Sequence, residues 1–121
     1  MRLIVKSRYF TRVDYSQCAS VKHDDQVFFG DIKNVSLQGL YITTSQEIPV
    51  SSTIEITICN EDNTSYRYRA NVVRCEENGF GVQLKEMGVQ AFTHLRSIIA
   101  RQCNNLELLI SETCRMSACI Q

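Results

Sequence analysis

The stretch TIEITIC, residues 53–59, sets Ile54, Ile56 and Ile58 against the polar Glu55 and Thr57. Side chains of a strand point alternately to its two faces, so a period of two describes a strand that is apolar on one side and wet on the other. The β-branched isoleucines suit a pleated, half-buried surface. A lone strand cannot cover its apolar face, so partners must flank it. On its N-terminal side, VDYSQCASV (13–21) alternates Val13, Tyr15, Gln17, Ala19 and Val21, HDDQ (23–26) is a polar turn, VFFGDIKNV (27–35) is β-rich, and GLYITT (39–44) follows. Gly30 inside the second run marks a bulge or a close backbone approach. On its C-terminal side, NEDN (60–63) is a turn, and SYRYRANVVRC (65–75) and FGVQL (80–84) form a hairpin across EENG (76–79).

After residue 88 the period changes. Phe92, Leu95, Ile98 and Ile99 fall at helical spacing within 89–102, with His94 and Arg96 off the stripe. Beyond CNN (103–105), LELLISETC (106–114) reads as a second helical segment or a docked tail. Five or six antiparallel strands followed by a helix predict a mainly β fold: a small closed or nearly closed barrel with the helix over one end or face.

Composition narrows the function. The chain has 121 residues, 44% of them hydrophobic, which suits one domain with one core. Thirteen basic residues balance 13 acidic ones, so there is no global field to attract nucleic acid or a membrane surface, and any anion site is local. The opening MRLIVKSR has three consecutive apolar residues, too few for a secretory core, and nothing later resembles a membrane span. A cytoplasmic protein is expected. The sequons NVS (34–36) and NTS (63–65) are then incidental. The six cysteines, at 18, 59, 75, 103, 114 and 119, contain no C-x-x-C pair and no histidine at ligand spacing. They read as small buried hydrophobes or surface thiols, with no metal. No nucleophile–base pair, carboxylate dyad or phosphate-cradling glycine loop is visible, so an enzyme is not expected.

Two short stretches carry chemistry. RYFTR places Arg8 and Arg12 four apart before the first strand. On an extended segment they share a side, about 13 Å apart at the usual strand rise. Taken alone they are ordinary solvated arginines, yet a guanidinium fork fits phosphate oxygens and the O6/N7 edge of guanine. NVSLQG, residues 34–39, lies between two β-rich runs and taken alone is a polar turn. As a site, Asn34 and Ser36 lie two apart on one side of a strand end, where amide and hydroxyl can read a purine edge. Gly39 would leave room for a flat ligand, and neither polar side chain belongs to the core pattern. Tyr66, Arg67, Tyr68 and Arg69 alternate aromatic and basic, as in nucleic-acid barrels or in a strand with one face in the core. Arg74 is a weaker candidate.

Together, RxxxR before the first strand and N-x-S-x-x-G at a strand end resemble the PilZ domain family, with Asn34 where aspartate is commoner. NVSLQGLYI is similar to the family's second motif running into a strand, and ANVVRCEENGFGVQL to its late hairpin. The resemblance implies a six-stranded antiparallel barrel with a C-terminal α-helix. It divides the chain into a flexible arm (1–12), barrel plus helix (13–103) and a C-terminal extension (104–121) that it does not cover. It further implies a receptor for cyclic di-GMP with no other cofactor, which the arm wraps against the barrel. Arg8 and Arg12 would meet phosphates and guanine edges, Asn34 and Ser36 a guanine, and Gly39 would give clearance. A receptor of this kind acts through a downstream protein. The alternatives are an adaptor that binds protein without nucleotide, and an oligonucleotide-binding barrel.

The cysteine reading is directly testable. Protein prepared anaerobically and then denatured should show six reactive thiols and no stoichiometric zinc. Fewer thiols, or bound zinc, would overturn it.

Overall fold

Ile54, Ile56 and Ile58 are each at most 1% exposed, while Thr53 and Cys59 at the ends of the same strand lie in solvent. The strand is β4 (Thr53–Cys59) of the computed structural model, which describes residues 10–121. It is joined by β1 (Val13–His23), β2 (Gln26–Val35), β3 (Gly39–Thr43), β5 (Ser65–Glu76) and β6 (Gly79–Met87). All neighbours are antiparallel, in the order β1-β2-β3-β6-β5-β4, and β4 pairs back onto β1 through Ala19–Ile58 to Lys22–Glu55, which closes the barrel. A barrel this small has no lumen, and its inward side chains fill it. Val21, Ile32, Ile42, Ile56, Tyr68, Ala70 and Phe80 are all buried there.

Two helices follow, α1 (Val89–Ala100) and α2 (Leu106–Arg115), then a 3-10 turn at Ser117–Cys119. The stripe Phe92, Leu95, Ile98 and Ile99 is buried and belongs to the same apolar cluster as the barrel interior. The Tyr68 hydroxyl donates to the Ala91 carbonyl at 2.8 Å, so β5 and the first turn of α1 are tied by a buried polar contact. In the sequence Tyr66–Arg69, Tyr68 thus faces the core and Arg67 and Arg69 face solvent. Asn105 caps α2, its side-chain oxygen accepting from the Leu108 N–H at 3.0 Å. After α2 the chain returns to β6, where the Gln121 N–H donates to the Met87 carbonyl at 2.8 Å.

Three details refine the sequence reading. β1 keeps its alternation, with Val13, Ala19 and Val21 buried and Asp14, Ser16 and Cys18 exposed, although its pairing with β2 shifts between Asp14 and Gln17, and Gln17 turns its amide to the Cys59 carbonyl at 2.9 Å. Gly30 is a close approach and not a bulge: a Cβ there would sit 2.6 Å from Ile42 Cγ2 and 3.0 Å from the Thr43 carbonyl oxygen. The register shift in β2 lies further on, between Ile32 and Asn34. None of the cysteines is fully buried: Cys18, Cys59, Cys75 and Cys114 are exposed, and Cys103 and Cys119 half-buried. Among the described residues no helix is long and apolar enough to cross a membrane.

His94 is more than a surface residue. Its ring stacks on Tyr66 with centroids 4.1 Å apart and planes 9° from parallel, and its buried Nε2 makes no hydrogen bond among the described residues. Burial, aided by the charge of Arg101, lowers its pKa below the ordinary 6.5. The unfolded chain therefore takes up this proton at a higher pH than the folded one, so stability is lost as pH falls below 6.5 and levels off below the folded value. Urea midpoints recorded down a pH series should fall more steeply for the parent than for His94→Phe. Parallel curves would show that His94 carries no such linkage.

Candidate functional site

β1 begins at Val13, so Arg12 is the last residue before the ladder. Its guanidinium Nη1 donates to Oδ1 of Asn34, which lies at the register shift of β2. Its other amino group lies 3.8 Å from where a Cβ on Gly39 would be. Burial, and secondarily the nearby charge of Arg74, push the pKa of Arg12 below its ordinary value. Arg12, Asn34 and Gly39 are thus in one place on the outer wall. Arg8 lies outside the described residues.

The remaining motif residues shape the β2–β3 turn. The Ser36 N–H donates to the Gly39 carbonyl at 2.8 Å. Its hydroxyl accepts from the Gly39 N–H at 3.1 Å and the Gln38 N–H at 3.2 Å. Ser36 is only 2% exposed, so this hydroxyl holds the turn from inside and does not share the open side of Asn34. Gly39 is demanded by the barrel itself. A Cβ there would lie 2.3 Å from the Val82 carbonyl oxygen of the neighbouring strand, a backbone atom that cannot swing away. The two residues fix the turn, and the turn fixes where Asn34 meets Arg12.

Register extends the site across the sheet. Asn34 pairs with Tyr41, Tyr41 with Gly81, and Gly81 with Arg74, giving one row over four strands. Leu40 and Ile42 point inward, so Tyr41 points out. The Arg74 guanidinium lies over Gly81, within 3.4 Å of where a Cβ would be, and 5.7 Å from the centre of the Tyr41 ring. Glu76 holds both partners: it pairs with Arg74 Nε at 2.7 Å and accepts from the Tyr41 hydroxyl at 3.1 Å. Burial and that carboxylate raise the Tyr41 phenol above its ordinary 10.0. Arg74 is the residue that sequence reasoning undervalued. Its place follows from a register shift between Val72 and Arg74, which no local pattern announces. The Gly81 of GFG was the available hint, since a glycine on an outward position leaves space above the sheet.

With Arg12 at its Asn34 end, the row offers two guanidinium groups, that of Arg74 paired with Glu76, together with an aromatic ring and a glycine floor. Such a surface can donate charge-assisted bonds to phosphate or a purine edge and can stack flat groups. A cleft of about 670 Å³ lies elsewhere, between residues 46–50 and the β5–β6 turn. Its Glu47, Glu76 and Glu77 make it unsuited to an anion. Among the described residues no cluster of His, Cys, Asp or Glu could hold a metal ion.

Fold and site together define a small closed β-barrel domain with a cationic outer row beside its first strand. The chain belongs to the PilZ domain family, whose sequence profile matches residues 6–101. The fold is similar to that of the PilZ domain of CeSA from a cellulose-synthesizing bacterium, with TM-score 0.62 and 10% identity over 76% of this chain and 97% of that one. It is also similar to the Bacillus subtilis inhibitor of motility MotI/DgrA, with TM-score 0.70 and 14% identity over 81% of this chain and 52% of that one. At these identities the likeness is one of fold. A search of curated protein sequences gives no match.

The turn separates buried structural residues from outward-facing ones. Ser36→Ala strands the Gly39 and Gln38 N–H groups in a buried turn and should cost about 1–3 kcal/mol of stability. Gly39→Ala must push β3 from β6 and should cost more. Urea unfolding of both variants checks the order, and an unchanged midpoint for Ser36→Ala would remove the turn role.

Proposed function

We propose that this chain is a receptor for cyclic di-GMP, bound on the outer row between the pre-barrel segment and β2, β3, β5 and β6. The observation that carries the reading is Arg12, bonded to Asn34 beside Gly39, with the charge of Arg74 close by. Cyclic di-GMP carries two phosphates and two flat guanines. Arg8 and Arg12 meet phosphate oxygens and guanine edges, and Asn34 a guanine edge. Ser36 and Gly39 serve the site by holding the turn, and Gly39 keeps the surface low. Membership of a family of receptor and adaptor domains supports the reading. The chain has no catalytic output of its own and acts through a downstream protein in the cytoplasm.

The test pairs affinity with stability. Calorimetric titration with cyclic di-GMP should show saturable binding by the parent. Arg8→Ala and Arg12→Ala should each cost roughly 1–3 kcal/mol, about 5- to 150-fold in affinity, for a lost bidentate contact. The melting temperature of Arg12→Ala should move little, because an exposed arginine contributes about 0–1 kcal/mol to folding. Arg67→Ala, on exposed β5, should bind like the parent. An equal loss at Arg67, with a steep salt dependence, would favour the oligonucleotide reading and overturn this one.

A further inference from the structure

Glu112, on α2, is a carboxylate in the wrong place for a carboxylate: it is 1% exposed. An ionised group removed from water needs hydrogen bonds that replace its hydration. Glu112 draws them from one residue 101 positions earlier. The Thr11 N–H donates to Oε1 at 3.0 Å and to Oε2 at 3.1 Å, and the Thr11 hydroxyl donates to Oε2 at 2.7 Å. One turn further along α2, the Arg115 guanidinium lies 4.3 Å from the centre of the Phe10 ring. A single helix face therefore grips two successive residues, Phe10 and Thr11. The next residue is Arg12, bonded to Asn34. Residues 10–12 precede the first ladder pair, Val13–Val35, so sheet pairing does not orient them. The orientation comes from a helix that lies beyond the matched family region, which ends at residue 101.

We propose that Glu112 is a positioning residue of the ligand site, acting through Thr11 to present Arg12 to Asn34 and Gly39. The C-terminal helix thereby becomes a working part of the binding site. The chemistry favours this over a purely structural role. A buried carboxylate is a poor choice for stability alone, since an apolar side chain of similar volume often serves better. It is a good choice for fixing a backbone, because its two oxygens bind an N–H and a neighbouring hydroxyl together and set both the place and the rotation of Thr11. The inference rests on the cyclic di-GMP reading above.

The test uses the full chain and Glu112→Gln, which keeps the shape but removes the charge and turns an amide donor toward the Thr11 N–H. Thr11→Val, which removes only the hydroxyl contact, repeats the test with a smaller effect if Glu112→Gln does not fold. Glu107→Gln, exposed on the same helix, is the control. In the ligand-free parent the Thr11 amide should be protected from hydrogen exchange, and Glu112→Gln should lose that protection. Glu112→Gln should weaken cyclic di-GMP binding about 10-fold, and Glu107→Gln should not. On an Arg12→Lys background, Glu112→Gln should add little further loss, because both changes act through the same side chain. A residue that only stabilises the fold would lower the melting temperature and leave affinity unchanged, or would add its full loss on that background. Either result, with a parent that binds, overturns the inference alone. A parent that does not bind cyclic di-GMP overturns the function reading, and the inference falls with it.

Discussion

Closing six strands around their own side chains leaves no interior for a ligand. Everything else in the molecule answers to that constraint. The inward half of each strand must be apolar and tightly fitted, which explains the isoleucines of β4 and the close approach of Gly30 to Ile42. Chemistry is left to the outward half, where residues from different strands meet only if register brings them level. The row Asn34, Tyr41, Gly81 and Arg74 is such a meeting.

Register in this barrel is set at a few irregular points. The β2–β3 turn is locked by the Ser36 hydroxyl and by the lack of a side chain at Gly39. Shifts in β2 before Asn34 and in β5 before Arg74 turn both side chains onto the same outer surface. Bulges re-aim side chains in this way while leaving the rest of a ladder intact. Glu76 then restrains the long side chains, holding Arg74 over Gly81 and the Tyr41 hydroxyl beside it. The row is thus held in place by contacts within the chain itself.

Local patterns made the strands legible, and long-range register did not announce itself. The alternation of residues 53–59 and the helical stripe of 92, 95, 98 and 99 are direct images of burial, and both are seen in the fold. The alternation of the first strand is likewise seen in its burial, while the pairing shift after Asp14 leaves no trace in that pattern. The segment 106–114 left helix and docked tail open, since α2 buries only Leu109 and Glu112 and shows a mixed face. Of the candidate site, Arg12, Asn34 and Gly39 stood out as two motifs whose meeting the fold supplies. Ser36 looked like a surface hydroxyl because its burial comes from the turn it makes. Arg74 was obscured by the register shift, and Glu112 by the ordinary expectation that a glutamate faces water.

The contact between Thr11 and Glu112 also bears on how the molecule assembles. It joins residues 101 apart, at the two sides of nearly the whole described chain. Closing so long a loop in an unfolded chain is entropically costly, whereas the hairpins β1–β2 and β5–β6 close locally. The barrel must form and α2 must dock before the carboxylate can find its partner. Until then Glu112 keeps its water, so its desolvation is deferred to the last stage of folding. A chain arrested earlier has a nearly complete barrel but an unset first segment, so folding rate and acquisition of the finished outer row are separate events.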